Sequence, residues 1–490
     1  MKLSFSTYTA ILATITSLVE AGPVARALPL VESNWKTELI PDEQNKLRRV
    51  LLRSELLSKG ATLQGFAYAT EERNRYIGSP GHNATVNWLY DTLTNTGYYD
   101  VYIQPFPVES SSATGTANGA PLAVAAMTGT PAGTPSAEIV NVANIGCDAA
   151  DYPAALAGKI ALISRGTCPF AQKATLAKEA GAIGTIIYNN VAGDLAGTLG
   201  GAGNFAPTVG ISQEAGKALV ASGGTASLNV IVKSVLTYNV IAETKGGNHS
   251  NVIMTGAHTD SVEAGPGIND NGSGSIGILE IALKLTSYSV NNAVRFGWWS
   301  GEEEGLLGAE HYVTTLPAEE ADKIRLYLNF DMIASPNFVY QVYDGSGKTF
   351  NISGAPGSAE VQKLWEDYFK NDVNIATEPT AFDGRSDYGP FLDAGIAAGG
   401  LTSGADEVKS PEQVAIWGGT AGAILDPNYH TARDTLENLN VGVWVQMTKG
   451  IAHAVATYAR SFASLPLKSK RSVVAKRDAT FQRKGGKFLW

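Results

Sequence analysis

Hydrophobic and polar positions change rhythm three times along this chain. Residues Glu43 to Leu57 repeat with a helical period and are rich in charge, which predicts a helix. Asn83 to Asn95 predicts a second, amphipathic helix with Val86, Leu89, Tyr90 and Leu93 on one side. Val101 to Val108 alternates with a period of two and predicts a strand. Ser110 to Thr134 is then rich in Ser, Gly, Ala, Thr and Pro and reads as the entrance to another domain.

A second block follows. It holds an apolar strand at Lys159 to Ile163, a helix around Phe170 to Ala180 and another strand at Gly184 to Asn189. A Gly-rich loop from Gly193 to Gly203 leads into Pro207 to Ser212. The block has no His and few acids, so it offers little catalytic chemistry.

From Tyr238 the pattern becomes strand, loop, helix. Near-continuous apolar strands are predicted at Tyr238 to Ala242, Asn251 to Ala257, Ala293 to Ser300 and Arg325 to Phe330. Helical stretches fall at Gly274 to Thr286 and Gly308 to Leu316, and a last helix at Val441 to Phe462. Such alternation predicts an α/β sheet covered by helices on both faces.

Length and composition sharpen this. With 490 residues, 44% hydrophobic content and 53 glycines, the chain suits two globular domains. The net charge of −9 is uneven. From Lys468 onward eight basic residues face one acid, Asp478, so the body is more acidic than the whole and does not suit nucleic acid. Met1-Lys2, the mostly apolar run from Ala10 to Val19 and the small residues ending at Ala21 read as a secretory signal peptide. No other segment approaches the roughly 20 apolar residues of a membrane span. Export makes a disulfide between Cys147 and Cys168 the expected state of the two cysteines. Asn83, Asn248 and Asn351 head glycosylation sequons. Asn271 heads a fourth, expected to stay empty because it adjoins Asp270. Lys470-Arg471 and Lys476-Arg477 are candidate processing sites in a tail expected to be disordered.

The candidate chemistry lies at the ends of the apolar strands, where open α/β sheets place their sites. His258, Asp270, Glu303, Asp331 and His430 are two imidazoles and three carboxylates, a donor set that suits two borderline-soft cations, zinc above all. Three carboxylates and one hydroxide neutralise two divalent ions. Such a site lowers the pKa of bound water and makes a hydrolase. Asp260, two residues past His258, is placed to orient its imidazole. Of the adjacent Glu302 and Glu303, one can bind metal while the other acts as general base, and spacing does not say which. Glu304 is expected to face solvent. His82, His249, His311 and His453 lack comparable surroundings and read as surface or structural residues.

The stretches GAHTDSVEAGPGINDNGSGS, RFGWWSGEEEGLLGAEHYV, LNFDMIASPN, GRSDYGPF and DPNYH together resemble the co-catalytic di-zinc aminopeptidases, and are similar to the secreted fungal leucine aminopeptidases and aminopeptidase Y. The resemblance implies that His258 and Asp331 hold one zinc, Glu303 and His430 the other, and that Asp270 bridges them. It makes Glu302 the general base, Asp260 the orienting acid, and Tyr429 and Arg385 contacts to substrate or transition state. KIALISRGTCPF and AGAIGTIIYNN resemble an inserted protease-associated (PA) domain.

The implied fold is an α/β zinc-peptidase domain with a mixed, largely parallel sheet, plus a β-rich α/β PA insertion. The expected limits are a signal peptide at 1–21, a short propeptide and the first part of the peptidase at 22–115, and the PA domain at 116–235. The main peptidase part follows at 236–465 and the tail at 466–490. The implied reaction is hydrolysis of the N-terminal residue, Leu or another apolar one, by a bridging zinc-hydroxide. Peptides with a free N-terminus are the expected partners, with no nucleic acid or membrane, for a monomer that is secreted or delivered to a vacuole. The family often has Ala where this chain has Gly301, a change expected to matter little. A di-zinc carboxypeptidase would need a basic cluster for the substrate carboxylate, and only Arg385 stands out. A single-zinc cyclotransferase would not need five ligands, and a binding ectodomain would be expected to lose them.

Overall fold

The computed structural model describes residues 47–48, 50–200 and 203–467. The expected signal peptide and the candidate processing sites of the tail lie outside these. Six strands form the middle and one flank of the peptidase sheet. Asn248–His258 lies between Asn292–Trp299 and Ile324–Phe330, parallel to both. Ile324–Phe330 is parallel to Ala398–Thr402, which pairs antiparallel with Gln341–Tyr343, itself parallel to Glu378–Thr380. On the other side, Asn292–Trp299 pairs antiparallel with Thr225–Thr244. The sheet is mixed and largely parallel at its centre.

Alternate side chains of the same strands supply two cores, as the period-two geometry of a strand requires. Ile253, Phe296, Trp298, Leu326 and Leu328 face the helices Arg53–Ala67, Gly274–Leu285 and Val441–Arg460. Met254, Trp299 and Tyr327 face Leu307–Thr315 and Tyr388–Asp393 through Tyr312 and Phe391. Both faces being covered explains why these strands read as unbroken apolar runs.

Thr225–Thr244 also builds the link to the second domain. It pairs with Tyr99–Ala117 in one continuous antiparallel register, from Tyr99 opposite Thr244 to Ala117 opposite Ala226. At its start it pairs with Ser136–Asn141. That strand opens a parallel sheet with Ile160–Ser164, Gly184–Tyr188 and Thr208–Ile211, flanked by helices Phe170–Glu179 and Gln213–Ser222. Residues 116 and 235 therefore both lie inside continuous strands.

Three local expectations change. The helix expected at 43–57 lies partly outside the described residues; 47 and 48 are helical, the helix is broken by 50–52, and a long helix then runs Arg53–Ala67 with Leu56, Gly60, Leu63 and Ala67 on its buried side. The second starts earlier, at Pro80, where Ser79 Oγ accepts the His82 amide at 3.1 Å and proline fits the first helical position. The polar stretch after Val108 continues as strand to Ala117, held by pairing rather than by side-chain burial. Asn118 and Gly119, at φ 51° and 82°, then turn it back into Ala120–Leu122, as a two-residue hairpin requires.

Cys147 and Cys168 form a disulfide with a Cα–Cα distance of 5.8 Å and a sequence separation of 21. It closes the segment before Phe170–Glu179 onto the preceding loop. A Cys147→Ser/Cys168→Ser variant is expected to lose about 3 kcal/mol, the loop entropy of a closure this long. Urea denaturation followed by limited proteolysis will show the loss, with early cleavage between 120 and 225.

Candidate active site

The three parallel strands end side by side, with Trp299 opposite His258. Their continuations deliver the acidic and imidazole groups to one edge of the sheet. His258 ends its strand, Asp331 follows Phe330, and Glu302 and Glu303 lie three and four residues past Trp299. Asp270 lies in the irregular turn Ile268–Ser273, just before Gly274–Leu285, and His430 follows in a later loop with φ 57°.

Asp270 stands between the two imidazoles. Its Oδ1 lies 3.2 Å from His258 Nε2 and its Oδ2 lies 3.0 Å from His430 Nε2. Around His258 Nε2 are also Asp331 Oδ1 at 3.5 Å and Glu302 Oε2 at 3.8 Å. Around His430 Nε2 is Glu303 Oε2 at 3.0 Å. Asp260 lies behind this layer, with Oδ1 3.6 Å from His258 Nδ1. It accepts the amides of Glu302 at 3.3 Å and Glu303 at 3.4 Å. One carboxylate thus fixes an imidazole and both glutamate backbones.

These charges perturb one another strongly. Burial pushes the His258 imidazole down, but Asp331, Glu302, Asp260 and Asp270 outweigh it and hold its pKa well above the ordinary value. The same contest, with Glu303 and Asp270 against burial, raises His430 to about 10. Burial drives Glu302 well up, opposed by His258, and drives Glu303 to about 7 with help from Asp270. Asp270 falls despite burial, because the imidazoles of His258 and His430 stand against it and favour its charged form.

Two clusters could each hold a metal ion: His258 with Asp270 and Glu303, and His258 with Glu302 and Asp331. The donors fit. Neither His258 nitrogen, nor Glu303 Oε1, nor Asp331 Oδ1 makes a hydrogen bond, although all are buried. Buried polar atoms left this way are costly unless a cation takes them up.

Tyr429 and Arg385 line the same cleft, with Met332, Tyr343, Ala381 and Ala405. The Tyr429 ring stacks on His430 with centroids 3.7 Å apart. Burial, then Asp270 and Glu303, hold its hydroxyl well above the usual phenol range, so it keeps its proton. Arg385 donates to Asp406 at 2.9 Å.

Several groups around the site were not legible in the sequence. Arg75 is fully buried among the loops that carry His258 and Asp270. Asp434 accepts the amides of Asn269 at 2.7 Å and Asp270 at 2.9 Å. A one-way chain of donors ends on Asp331. Trp299 Nε1 donates to Tyr327 at 2.8 Å, Tyr327 to Asn329 at 3.1 Å, Asn329 to Ser386 at 2.8 Å, and Ser386 to Asp331 at 2.6 Å. Glu304 does not face open solvent: it accepts the Tyr76 hydroxyl at 2.7 Å. His82 is buried and bonded to Thr259 at 3.0 Å, while His311 stacks on Phe106 and His453 on Tyr368. Asn271 spends its amide on the Phe330 carbonyl and its oxygen on the Gly274 amide, in keeping with an empty sequon. Asn248 and Asn351 are exposed, and Asn83 is half-buried. Gly301 has φ 72°, a left-handed conformation that glycine adopts without the cost an alanine would meet.

A covered α/β sheet with paired imidazoles and carboxylates at its strand ends defines a metal-dependent hydrolase. The chain belongs to peptidase family M28, whose sequence signature covers residues 239–455, while that of the PA domain covers 135–219. It is 50% identical over 457 residues to leucine aminopeptidase 2 of Arthroderma otae, covering 91% of each chain. It is 49% identical to leucine aminopeptidase 2 of Trichophyton rubrum, covering 90% of each. Among solved structures it is similar to the aminopeptidase from Aneurinibacillus sp. strain AM-1. The TM-score is 0.68 at 28% identity, covering 87% of this chain and 98% of that one. The zinc aminopeptidase from Bacillus subtilis gives a TM-score of 0.66 at 26% identity, covering 86% and 96%. Among the described residues, no helix is long and apolar enough to cross a membrane.

Proposed function

We propose that this protein is a secreted aminopeptidase that uses two zinc ions to remove an apolar N-terminal residue, Leu above all, from peptides. The observation that carries this is Asp270, with one oxygen toward each of two imidazoles. His258 and Asp331 would hold one ion, Glu303 and His430 the other, and Asp270 would bridge them. Bound zinc would supply Lewis acidity, activating a water and polarising the carbonyl.

The chain's own residues do the rest. Glu302, the glutamate farther from His430, takes the proton of the attacking water and returns it to the leaving amine. Asp260 keeps His258 in one orientation and holds the Glu302 and Glu303 backbones in place. Tyr429 donates its retained proton to the developing oxyanion. Met332, Tyr343, Ala381 and Ala405 give the cleft an apolar wall for the departing residue. Asp383 and Glu407 line the same cleft and favour a free ammonium over a terminal carboxylate, while Arg385 is engaged by Asp406. This weighs against a carboxypeptidase. A disulfide suits an oxidising compartment, and exposed Asn248 and Asn351 suit glycosylation there.

The test is cleavage of leucyl-p-nitroanilide by the purified mature protein before and after chelation. Activity should vanish with the metal and return with zinc at about two ions per chain by elemental analysis. Zinc-loaded, folded protein that leaves this substrate intact would refute the Leu preference. Tyr429→Phe should lower kcat by about 100-fold with KM nearly unchanged, the cost of one oxyanion donor.

A further inference from the structure

Arg75 lies between the helices Arg53–Ala67 and Pro80–Thr94, before the region that matches the peptidase family. Its side chain has no exposure. The guanidinium donates to the carbonyls of Thr259, of Pro266 at 2.9 Å and of Gly267 at 2.5 Å. Its backbone amide donates to Ser261 Oγ at 2.9 Å, and its carbonyl accepts the Ser261 amide at 3.2 Å. One residue therefore ties the segment just after His258 to the turn just before Asp270.

The charge matters as much as the ties. Arg75 sits in the field of Asp260, Asp434, Asp270 and Glu303, all buried. Burial lowers its pKa only to about 10, because those carboxylates oppose the loss of its proton, so it is charged at neutral pH. His82, in the first turn of the helix that follows, is pushed to about 4 by burial and stays neutral, so it adds no charge. Asp434 spends both oxygens on backbone amides, and Asp260 adds to its two amides only the His258 imidazole, 3.6 Å away. Buried anions without a counter-charge are strongly destabilising.

We propose that Arg75 is the standing counter-ion of this site, a positioning residue that offsets Asp260 and Asp434 and holds the His258 and Asp270 loops together independently of bound metal. The inference rests on the metal-site reading above. Bound zinc is a second source of positive charge at the same place. The charge of Arg75 should therefore matter most when zinc is removed, whereas a backbone tie alone would matter equally with and without it.

The experiment compares melting temperatures of wild type, Arg75→Gln and Arg75→Lys, each zinc-saturated and after exhaustive chelation. Arg75→Gln should lose at least twice as many degrees without zinc as with it, up to folding only when zinc is present. Arg75→Lys, which keeps the charge but not the three-way fork, should lose similar amounts in both conditions. Equal losses for Arg75→Gln in the two conditions, including failure to fold in both, would overturn the counter-ion role. Absence of any zinc stabilisation in wild type would instead fail the metal-site reading itself.

Discussion

Glu302→Gln is expected to lower kcat for leucyl-p-nitroanilide by about 10⁴-fold, at the upper end of what a positioned general base contributes. Zinc content should remain that of wild type. The amide is nearly isosteric and the Glu302 backbone is held by Asp260 whatever the side chain. It cannot accept the water proton, and it cannot pass one to the leaving amine. The contrast with Glu303→Gln makes the test sharp. Glu303 Oε2 lies 3.0 Å from His430 Nε2, so its loss should reduce bound zinc as well as rate. Equal zinc loss in both variants would mean that the two glutamates share the metal and that the base lies elsewhere.

The second large effect concerns protons and metal. Without a cation, His430 keeps its proton up to about pH 10, because Glu303 and Asp270 outweigh burial. Glu303 takes up its own proton below about pH 7, driven by burial and by Asp270. Metal ligands must be deprotonated, so zinc must displace these protons. The sign follows: affinity falls as pH falls, and falls more steeply below about 7, where two of these groups carry protons in the free protein. Chelator competition at pH 8, 7 and 6 should show the zinc dissociation constant rising by about tenfold per unit for each proton displaced. Calorimetry in buffers of different ionisation enthalpy should count the same protons. A dissociation constant flat across this range would remove His430 and Glu303 from the metal site.

Much of the site could be read before any fold was known, for a definite reason. His258 ends, and Glu302, Glu303 and Asp331 follow, a strand buried on both faces, and such strands announce themselves as apolar runs with a polar residue at the end. Asp270 is marked by its glycines, and His430 by Tyr429 beside it. The disulfide was legible because only two cysteines exist. What could not be read involves partners distant in sequence. Arg75 reaches carbonyls more than 180 residues away, and Asp434 holds amides 164 and 165 residues before it. Glu304 looked like a third solvated acid of a run until Tyr76, 228 residues earlier, closed over it. The polar stretch to Ala117 became strand through backbone pairing with 226–234, which leaves no hydrophobic rhythm. Only the Asn118-Gly119 turn offered a local sign of it.

The sequence by itself determined the donor chemistry, the α/β alternation and the place of His258, Glu303 and Asp331 at or just past strand ends, because side-chain type and local periodicity are properties of neighbours along the chain. Tertiary structure alone decided which oxygen of Asp270 meets which imidazole, which glutamate stands nearer His430, and which buried cation and acids hold the loops. Those depend on strand order and register, and so on contacts between segments that carry no record of one another.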